Sequence, residues 1–393
     1  MATTGRPADT DSDASALAGT LAEASFVHVA AHADGDALAA SALLARGLDG
    51  VDVPYQVSLA RSSTAAERRL SDADGTTLAL GFGAETSADT VSTERPVSQH
   101  AYDVASELHD GGRTDATLAL AGVLASDSPP STTPTDTLVE AADASRRPGV
   151  GIPTADLADG LAHSTLFHAG ISGDEGQAGA LLAELELPAE LDESAWRRLA
   201  SRVALDATEA PAGPRAAVAI ERALRPYVFS DGPVETADGY ADVLDALARA
   251  EPGLGVAFAL GHADRAAALD VWRETGRRAH RALRRADLDG HDGLVVATLG
   301  DDADVDSDAD SPLWTVGRLL RDFRSDQPAA LAVEGDEAVL ATIPATGDDA
   351  RTDARDALAE AGARAVGGTA THAYAQFEAI DTTDVGRTVR DAL

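Results

Sequence analysis

The sequence predicts an α/β protein of two lobes, and three observations lead to this fold class. Between about residues 16 and 125, short β-like runs alternate with helical patterns, as in a parallel sheet sandwiched by helices. The stretch from 157 to 250 is helix-rich, and a second series of strand-like and helical runs extends from 294 to 380. We therefore expect an N-terminal parallel-sheet lobe with a helical extension, followed by a C-terminal α/β lobe.

The N-terminal lobe is predicted to span 16–250, after a disordered tail at 1–15 that has no apolar period. Its strands are predicted at 26–31, 51–57 and 76–81, and its first helices at 14–24, 36–48, 98–110 and 114–125. The Pro/Thr/Ser-rich residues 128–136 indicate a surface loop. Helical segments at 157–166, 176–207, 212–225 and 237–250 are expected to complete this lobe.

Residues 251–290 are predicted to connect the lobes through a strand at 255–261 and a long helix at 263–286, before a break at 287–293. The C-terminal lobe, 291–393, then has predicted strands at 294–298, 329–334, 337–343 and 374–380 and helices at 312–323 and 349–362. Gly335-Asp336 fits a hairpin turn between two of these strands. The acidic run 301–310 is typical of a solvated loop.

Composition limits the class of protein. The 393 residues are enough for two or three domains with proper cores. The formal net charge is −35, and all 31 basic residues are arginine. Such an acid excess, spread over the whole length, is typical of proteins from extreme halophiles, so it does not argue against nucleic-acid binding. The absence of cysteine excludes disulfides and thiolate chemistry. Without a signal segment or a long apolar run, we expect a soluble, cytoplasmic protein that does not contact membranes.

The sharpest functional signal is a cluster of one imidazole and two carboxylates within five residues, His32, Asp34 and Asp36. The cluster directly follows the predicted strand 26–31, where open α/β sheets place their ligand sites. Oxygen-rich clusters of this kind suit Mn²⁺ or Mg²⁺. Alternatively, Asp34 or Asp36 caps the next helix through a side-chain oxygen, and the cluster is a relic in a fold kept for binding.

Together with two later segments, this cluster resembles the DHH phosphoesterase superfamily, in the form found in archaeal RecJ-like nucleases. The apolar segment 118–127, which ends in Asp127, is similar to a later metal-binding motif of that family. Gly367-Gly368 with His372 resembles the substrate-contacting loop of the companion DHHA1 domain. The resemblance implies a DHH-type first lobe, a DHHA1-type second lobe, and descent from metal-dependent 5′-to-3′ exonucleases of replication or repair.

Two parts of the family's site are missing from the sequence. Ala79 lies where the second motif places a carboxylate, and the Asp-His-His triplet is absent, with residues 98–100 (Ser-Gln-His) as the nearest candidate. Two-metal hydrolysis needs ions roughly 3.5–4 Å apart that share a bridging carboxylate. The metal ligands that the resemblance implies are His32, Asp34, Asp36 and Asp127. We expect them to hold at most one Mn²⁺ or Mg²⁺ ion, or none.

One predicted helix interrupts the acidic background with arginines at i, i+4, i+8 and i+11, namely Arg273, Arg277, Arg281 and Arg284. Facing a cleft between the lobes, they could follow a nucleic-acid backbone, because guanidinium groups match phosphate oxygens. Equally, they pair with neighbouring acids. The candidate substrate-binding residues are therefore Arg277, Arg281, Arg284, Gly367, Gly368 and His372. The glycine pair has its own alternative, a tight turn before the last strand that leaves His372 exposed and idle.

These observations favour a RecJ-like protein that binds single-stranded nucleic acid and has a depleted, weak or inactive catalytic site, so no catalytic residue is assigned. The expected partners are single-stranded DNA or RNA and, as the resemblance implies for relatives without an intact site, the GINS complex and the replicative helicase. Two alternatives stay open. One is an active single-strand-specific exonuclease, and the other is a phosphoesterase for short oligonucleotides or cyclic dinucleotides.

Overall fold

The computed structural model has two lobes, each built on its own sheet. It describes residues 8–82, 89–90, 96–108, 115–126, 135–188, 190–209, 212–300, 312–343, 353–369 and 371–393. The predictions for 1–7, for the loops at 128–134 and 301–310, and for Asp127 lie outside these residues. Among the described helices, none is both long and apolar enough to cross a membrane.

The first lobe contains a parallel sheet, as the sequence predicts. Its strand order is β2-β1-β3-β4. Its strands are β1 (Val27–His32), β2 (Tyr55–Ala60), β3 (Thr76–Leu80) and β4 (Asp89–Thr90). The helices of this part are α1 (Ala8–Ala22), α2 (Gly35–Gly50), α3 (Ser63–Leu70), α4 (Val97–Leu108) and α5 (Ala116–Ala125). Strand β1 is central and largely buried, which explains its continuous apolar run.

Two boundaries in this lobe differ from the predictions. Helix α1 begins at Ala8, so residues 8–15 of the predicted tail are helical. Ala14, Ala18 and Leu21 are buried against the core, but alanine contributes little to an apolar pattern and the sequence signal was weak. Strand β2 begins at Tyr55 rather than near 51, because the preceding residues turn and Asp52 has a positive φ of 57°.

The helical extension contains α6 (Asp136–Ala141), α7 (Leu157–His163), α8 (Glu175–Glu184), α9 (Glu193–Thr208), α10 (Ala216–Ala219) and α11 (Ala237–Ala250). A short ribbon of β5 (Ala144–Arg146) and β6 (Tyr227–Phe229) runs beside them. Two connecting helices follow, α12 (Pro252–Ala259) and α13 (Arg265–Arg285). The strand predicted at 255–261 was wrong: Pro252 opens helix α12 there, and a short apolar run alone does not distinguish a strand from a buried helix.

The second lobe contains a six-stranded mixed sheet in the order β11-β12-β10-β9-β8-β7, in which only β8 and β9 are parallel. Its strands are β7 (Asp287–His291), β8 (Leu294–Thr298), β9 (Ala329–Glu334), β10 (Glu337–Thr342), β11 (Ala365–Gly368) and β12 (His372–Gln376). Its helices are α14 (Leu313–Leu319), which continues through a π-helical turn at 320–324, α15 (Ala354–Glu360) and α16 (Thr382–Ala392).

Three differences from the predictions concern the margins of this sheet. The break predicted at 287–293 is strand β7 and its hairpin turn; β7 is an exposed edge strand and therefore lacks an apolar pattern. The strand predicted at 374–380 lies at 372–376. Strand β11 and helix α16 were not predicted: β11 has four residues and ends in two glycines, and the pattern of α16, with Val385 and Val389 buried, was not recognised.

Candidate functional site

His32 and Asp34 meet at the carboxyl end of β1, as the sequence predicts. His32 is the last residue of β1, and its Nδ1 lies 2.5 Å from Asp34 Oδ2. Asp34 is also the N-cap of α2, since its Oδ1 accepts a hydrogen bond from the Ala37 backbone at 2.8 Å. Within the described residues, Nε2 of His32 makes no hydrogen bond, although the side chain is only 2% exposed. The helix-capping alternative therefore holds for Asp34.

The carboxylate of Asp36, which we expected to be a metal ligand, instead binds the first turn of helix α4. Its Oδ2 accepts from the Val97 backbone at 2.8 Å, and its Oδ1 accepts from the Ser98 backbone at 2.9 Å and from the Ser98 hydroxyl at 2.5 Å. Burial, and then the charge of Asp34, raise the pKa of Asp36 to about 7 despite these hydrogen bonds. Asp36 thus holds two parts of the fold together.

The other described positions of the family pattern, Ala79 and 98–100, add no carboxylate to this place. Ala79 lies fully buried in β3, in register with Ala30 of β1, and packs in a small apolar cluster with Ala60 and Phe82. The Ser-Gln-His segment at 98–100 lies in α4, where Ser98 is already bound to Asp36. Asp127 lies outside the described residues. Where the sequence departs from the family pattern, the structure therefore has the buried methyl group of Ala79 and the start of helix α4, which Asp36 caps.

An arginine that the sequence analysis did not single out lies beside Asp34. Arg249 on α11 forms a two-pronged ion pair with Asp245, with Nε–Oδ2 and Nη2–Oδ1 distances of 3.1 and 2.8 Å. Oδ1 of Asp245 also accepts a hydrogen bond from the Gly35 backbone at 3.2 Å, which places the pair at the start of α2. Burial alone would raise the pKa of Asp34, but His32 and Arg249 hold it below its usual value. An Asp and an Arg four residues apart are common in helices, so the sequence signal was weak.

The second lobe contributes an aromatic side chain to the same place. The ring of Trp314 on α14 lies 4.0 Å from the ring of His372 and 5.8 Å from that of His32, centroid to centroid. The Arg249 guanidinium carbon lies 4.1 Å from the Trp314 ring centroid. His372 at the start of β12 is fully buried. The alternative in which His372 is exposed was wrong, because Trp314 covers it.

The glycine pair forms the last two residues of strand β11, directly before the short connection to β12. A Cβ on Gly367 would lie 2.1 Å from the Arg61 carbonyl oxygen, and one on Gly368 would lie 3.0 Å from the Trp314 ring. Gly368 also has a positive φ of 106°. Gly367 therefore allows the second lobe to approach the first closely, whereas a Cβ on Gly368 would meet only atoms of its own lobe.

A cleft lies between the lobes, and we call it the interlobe cleft. The side chains that give it its character are His32, Arg61 and Arg249 from the first lobe and Trp314, Glu337 and Tyr374 from the second. The Tyr374 hydroxyl donates to Glu337 Oε1 at 2.5 Å. Burial, and then this hydrogen bond, raise the pKa of Tyr374. The cleft therefore combines cationic, aromatic and acidic groups around His32.

The predicted row of arginines on α13 does not line this cleft. Arg273 binds both oxygens of Asp159, at 2.8 and 2.9 Å, and Arg277 pairs with Glu274. Arg284 donates to the Ser172 carbonyl. The alternative in which these arginines pair with their neighbours therefore describes Arg273 and Arg277, and Arg284 is used within the fold as well.

One group among the described residues could hold a metal ion, and it lies on α7 and α8: Asp159, His163 and Glu175 offer ligand atoms within 4.8 Å of one another. Nδ1 of His163 lies 3.0 Å from Asp159 Oδ1, and Nε2 lies 3.8 Å from Glu175 Oε1. The sequence analysis missed this group, although an Asp and a His four residues apart on one helix were visible. Because Arg273 already binds Asp159, a positive charge is present here without a metal.

Comparison with solved structures shows which proteins share this fold. The fold is similar to that of the exonuclease RecJ bound to manganese, with a TM-score of 0.52 and 14% identity over 99% of this chain and 96% of the other. It is also similar to CDC45 from Entamoeba histolytica, with a TM-score of 0.57 and 9% identity over 97% of this chain and 99% of the other. The chain thus has a RecJ-like fold, which confirms the RecJ-like, two-lobed α/β architecture that the sequence predicts.

Sequence comparison identifies a narrower family among the proteins with this fold. The family model described as "Uncharacterized protein rrnAC1427, C-terminal domain" matches residues 286–391. The uncharacterized protein rrnAC1427 of Haloarcula marismortui is 43% identical over 395 residues, which cover 100% of both chains. The chain belongs to the rrnAC1427 family.

Proposed function

We propose that this chain is a RecJ-like protein of DNA replication or repair that binds single-stranded nucleic acid and does not hydrolyse it by a two-metal mechanism. The observation that carries the proposal is the use of both acids of the sequence cluster within the fold. Asp36 binds the start of α4 through both oxygens, and Asp34 binds His32 and the start of α2.

A pair of divalent ions does not fit the described residues at this place. Two-metal hydrolysis requires a carboxylate that bridges two ions. Ala79 offers a methyl group there, and the oxygens of Asp36 face the backbone of α4. Arg249 supplies a positive charge beside Asp34. We therefore derive no hydrolytic step for this chain.

The interlobe cleft supports binding. We place a strand end or a flipped-out nucleotide at this cleft. Arg61 offers a guanidinium group to phosphate oxygens, and Tyr374 offers an aromatic ring to a base. These contacts are sequence-tolerant, as expected for single strands rather than for a defined duplex site.

The place of this binding in replication is the finer part of the proposal. This part rests on the RecJ-like resemblance of the sequence, and the fold that the chain shares with RecJ and CDC45 agrees with that resemblance. On this proposal, GINS and the replicative helicase are the protein partners. Affinity purification of the chain from its own host checks this point, and a preparation without any replication protein would count against it.

The test of the main proposal is a binding and cleavage assay with 5′-labelled single-stranded DNA and RNA and the matching DNA duplex. It is run in molar KCl with Mn²⁺ or with EDTA. We expect single strands to be bound with and without Mn²⁺ and to remain intact. Arg61→Gln should weaken binding several-fold, while Arg197→Gln on the exposed face of α9 is the matched control.

Two results would contradict the proposal. Cleavage that requires Mn²⁺ and disappears in Asp34→Ala would show a working metal centre and favour the exonuclease alternative. Cleavage restricted to dinucleotides or cyclic dinucleotides would favour the small-substrate phosphoesterase.

A further inference from the structure

We propose that the guanidinium of Arg249 is the resident cation of this site: it pairs with Asp245 next to Asp34, in the place of a divalent ion, and links the two lobes through Trp314. The inference deepens the proposed function, on which it rests for the loss of the two-metal centre. It is nevertheless tested without nucleic acid.

The geometry places Arg249 between the acids and the second lobe. Its Nε and Nη2 bind Asp245 at 3.1 and 2.8 Å, and Asp245 in turn binds the backbone of Gly35, the residue next to Asp34. A Cβ on Gly35 would lie 2.9 Å from the Asp245 backbone nitrogen. Helices α2 and α11 thus pack in close contact, and the ion pair lies where they meet.

Arg249 offsets one of the two negative charges that the described residues Asp34 and Asp245 bring to this place. Asp34 and Asp245 are 21% and 20% exposed and carry negative charge, while Arg249 is 16% exposed and carries one positive charge. His32 adds a donor to Asp34 at 2.5 Å. An ion pair of this burial is screened less by salt than a surface pair. Removal of Arg249 alone would therefore leave two carboxylates without their cation.

The same guanidinium also contacts the second lobe. It lies over the ring of Trp314 at 4.1 Å, and Trp314 contacts the ring of His372 at 4.0 Å. A cation over an aromatic face is attracted by the ring, and more strongly when both are shielded from water. Trp314 is only 9% exposed. A divalent ion with its oxygen ligands and waters would not make this contact, so the arginine has two roles that a metal would not combine.

The experiment measures how much manganese stabilises the chain through Asp34. The midpoint of thermal unfolding, Tm, is recorded in molar KCl with Mn²⁺ and with EDTA for four full-length chains: wild type, Asp34→Asn, Arg249→Gln and the double variant. The quantity compared is the Mn²⁺-induced rise in Tm with Asp34 intact, minus the rise in the matched Asp34→Asn chain. This difference removes the effect of manganese bound elsewhere, including at Asp159 and His163.

We expect this difference to be below about 1 °C when Arg249 is present and at least about 3 °C in Arg249→Gln, because a ligand that binds only the folded state raises Tm. Arg197→Gln is the matched control, since it removes another pair at i,i+4 with Glu193, and should behave like wild type. Equal differences with and without Arg249 would overturn the proposal.

A second comparison keeps the proposal testable if Arg249→Gln does not fold. An Asp34-dependent rise of about 3 °C or more in the wild-type chain would overturn it, because a divalent ion would then bind beside Arg249. A wild-type chain without such a rise, together with an Arg249→Lys chain that folds and also shows none, would support it. The manganese-dependent rise in Tm tests the role of Arg249, whereas single-strand binding in EDTA tests the proposed function. The two proposals can therefore fail independently.

Discussion

Ser98 donates twice to Asp36, through its backbone nitrogen at 2.9 Å and through its hydroxyl at 2.5 Å. The acid comes from the sequence cluster that resembles a metal-binding motif, and the serine comes from the segment nearest to the missing triplet. Their contact makes two positions that the sequence analysis singled out part of a helix-capping interaction. Four predictions follow from this and from the neighbouring geometry.

The stability of the folded chain should depend on the ionisation of Asp36. Its pKa is raised to about 7 by burial and by Asp34, so between the unfolded value of 3.8 and about 7 the folded state binds more protons than the unfolded state. The contribution of Asp36 therefore falls as pH rises through this range. Relative to Asp36→Asn, wild type should lose on the order of 2 kcal/mol between pH values of about 5 and 8, since one pKa unit corresponds to about 1.4 kcal/mol.

Chemical unfolding of both chains at the two pH values checks this prediction. The variant loses one acceptor for the Val97 backbone, so its absolute stability is not the test. The difference between the chains should change with pH. A constant difference would show that Asp36 does not titrate in this range.

Restoring the missing acid by Ala79→Asp should not restore a metal site. Ala79 is fully buried among Ala30, Ala60 and Phe82, so a carboxylate there would lack partners and cost about 3 kcal/mol or more. We expect lower stability and no Mn²⁺-dependent cleavage. Ala79→Asn is the uncharged control of similar size, and the account requires it to be less harmful than Ala79→Asp. A stable, cleaving Ala79→Asp chain would contradict the account.

Gly367→Ala should disturb the contact between the lobes. Its Cβ would lie 2.1 Å from the Arg61 carbonyl oxygen, a backbone atom that cannot move without shifting α3 or β11. We expect a loss of about 2 kcal/mol or more, measured by thermal unfolding, and a larger radius by small-angle scattering. Gly290→Ala is the control, because nothing lies within 4 Å of its Cβ position. Equal effects of the two substitutions would argue against a close approach at Gly367.

Substitutions of Arg273 and Arg277 on α13 should differ in their effect on the stability of the chain, and neither should weaken nucleic-acid binding. Arg273 binds the largely buried Asp159 through two nitrogens, so Arg273→Gln should cost on the order of 1–3 kcal/mol. Arg277 pairs with exposed Glu274, and Arg277→Gln should cost less than about 0.5 kcal/mol. Denaturant unfolding gives both values. A large drop in single-strand affinity for Arg277→Gln would instead support the phosphate-binding interpretation of this helix.

The sequence predicted the fold best where burial and length gave a clear pattern. Strand β1, with apolar residues on both faces, and helices α11 and α13 were predicted close to their observed bounds. Elements at the margins were missed: β7 is an exposed edge strand, and α12 has an apolar run too short to classify. Both elements were missed because a local sequence pattern indicates which residues are buried, but not the segment against which they pack.

The candidate site shows the same limit. The sequence brought His32 and Asp34 together because they are two residues apart at a strand end, and their 2.5 Å contact is observed. Arg249 and Trp314 come from helices more than 200 residues further along and carry no motif, so only the fold could place them beside Asp34. Asp36 was predicted to be a metal ligand because of its place in the sequence cluster. The direction in which its carboxylate points depends on α4, which the cluster does not encode.

The central claim is that the carboxyl end of β1 does not hold a pair of divalent ions. The most direct measurement is anomalous X-ray diffraction at the manganese edge, from crystals of the wild-type chain grown or soaked with Mn²⁺. We expect no manganese pair beside His32 and Asp34, and the Arg249 guanidinium in place over Trp314. Two manganese peaks roughly 4 Å apart at this position, with Arg249 displaced, would contradict the account.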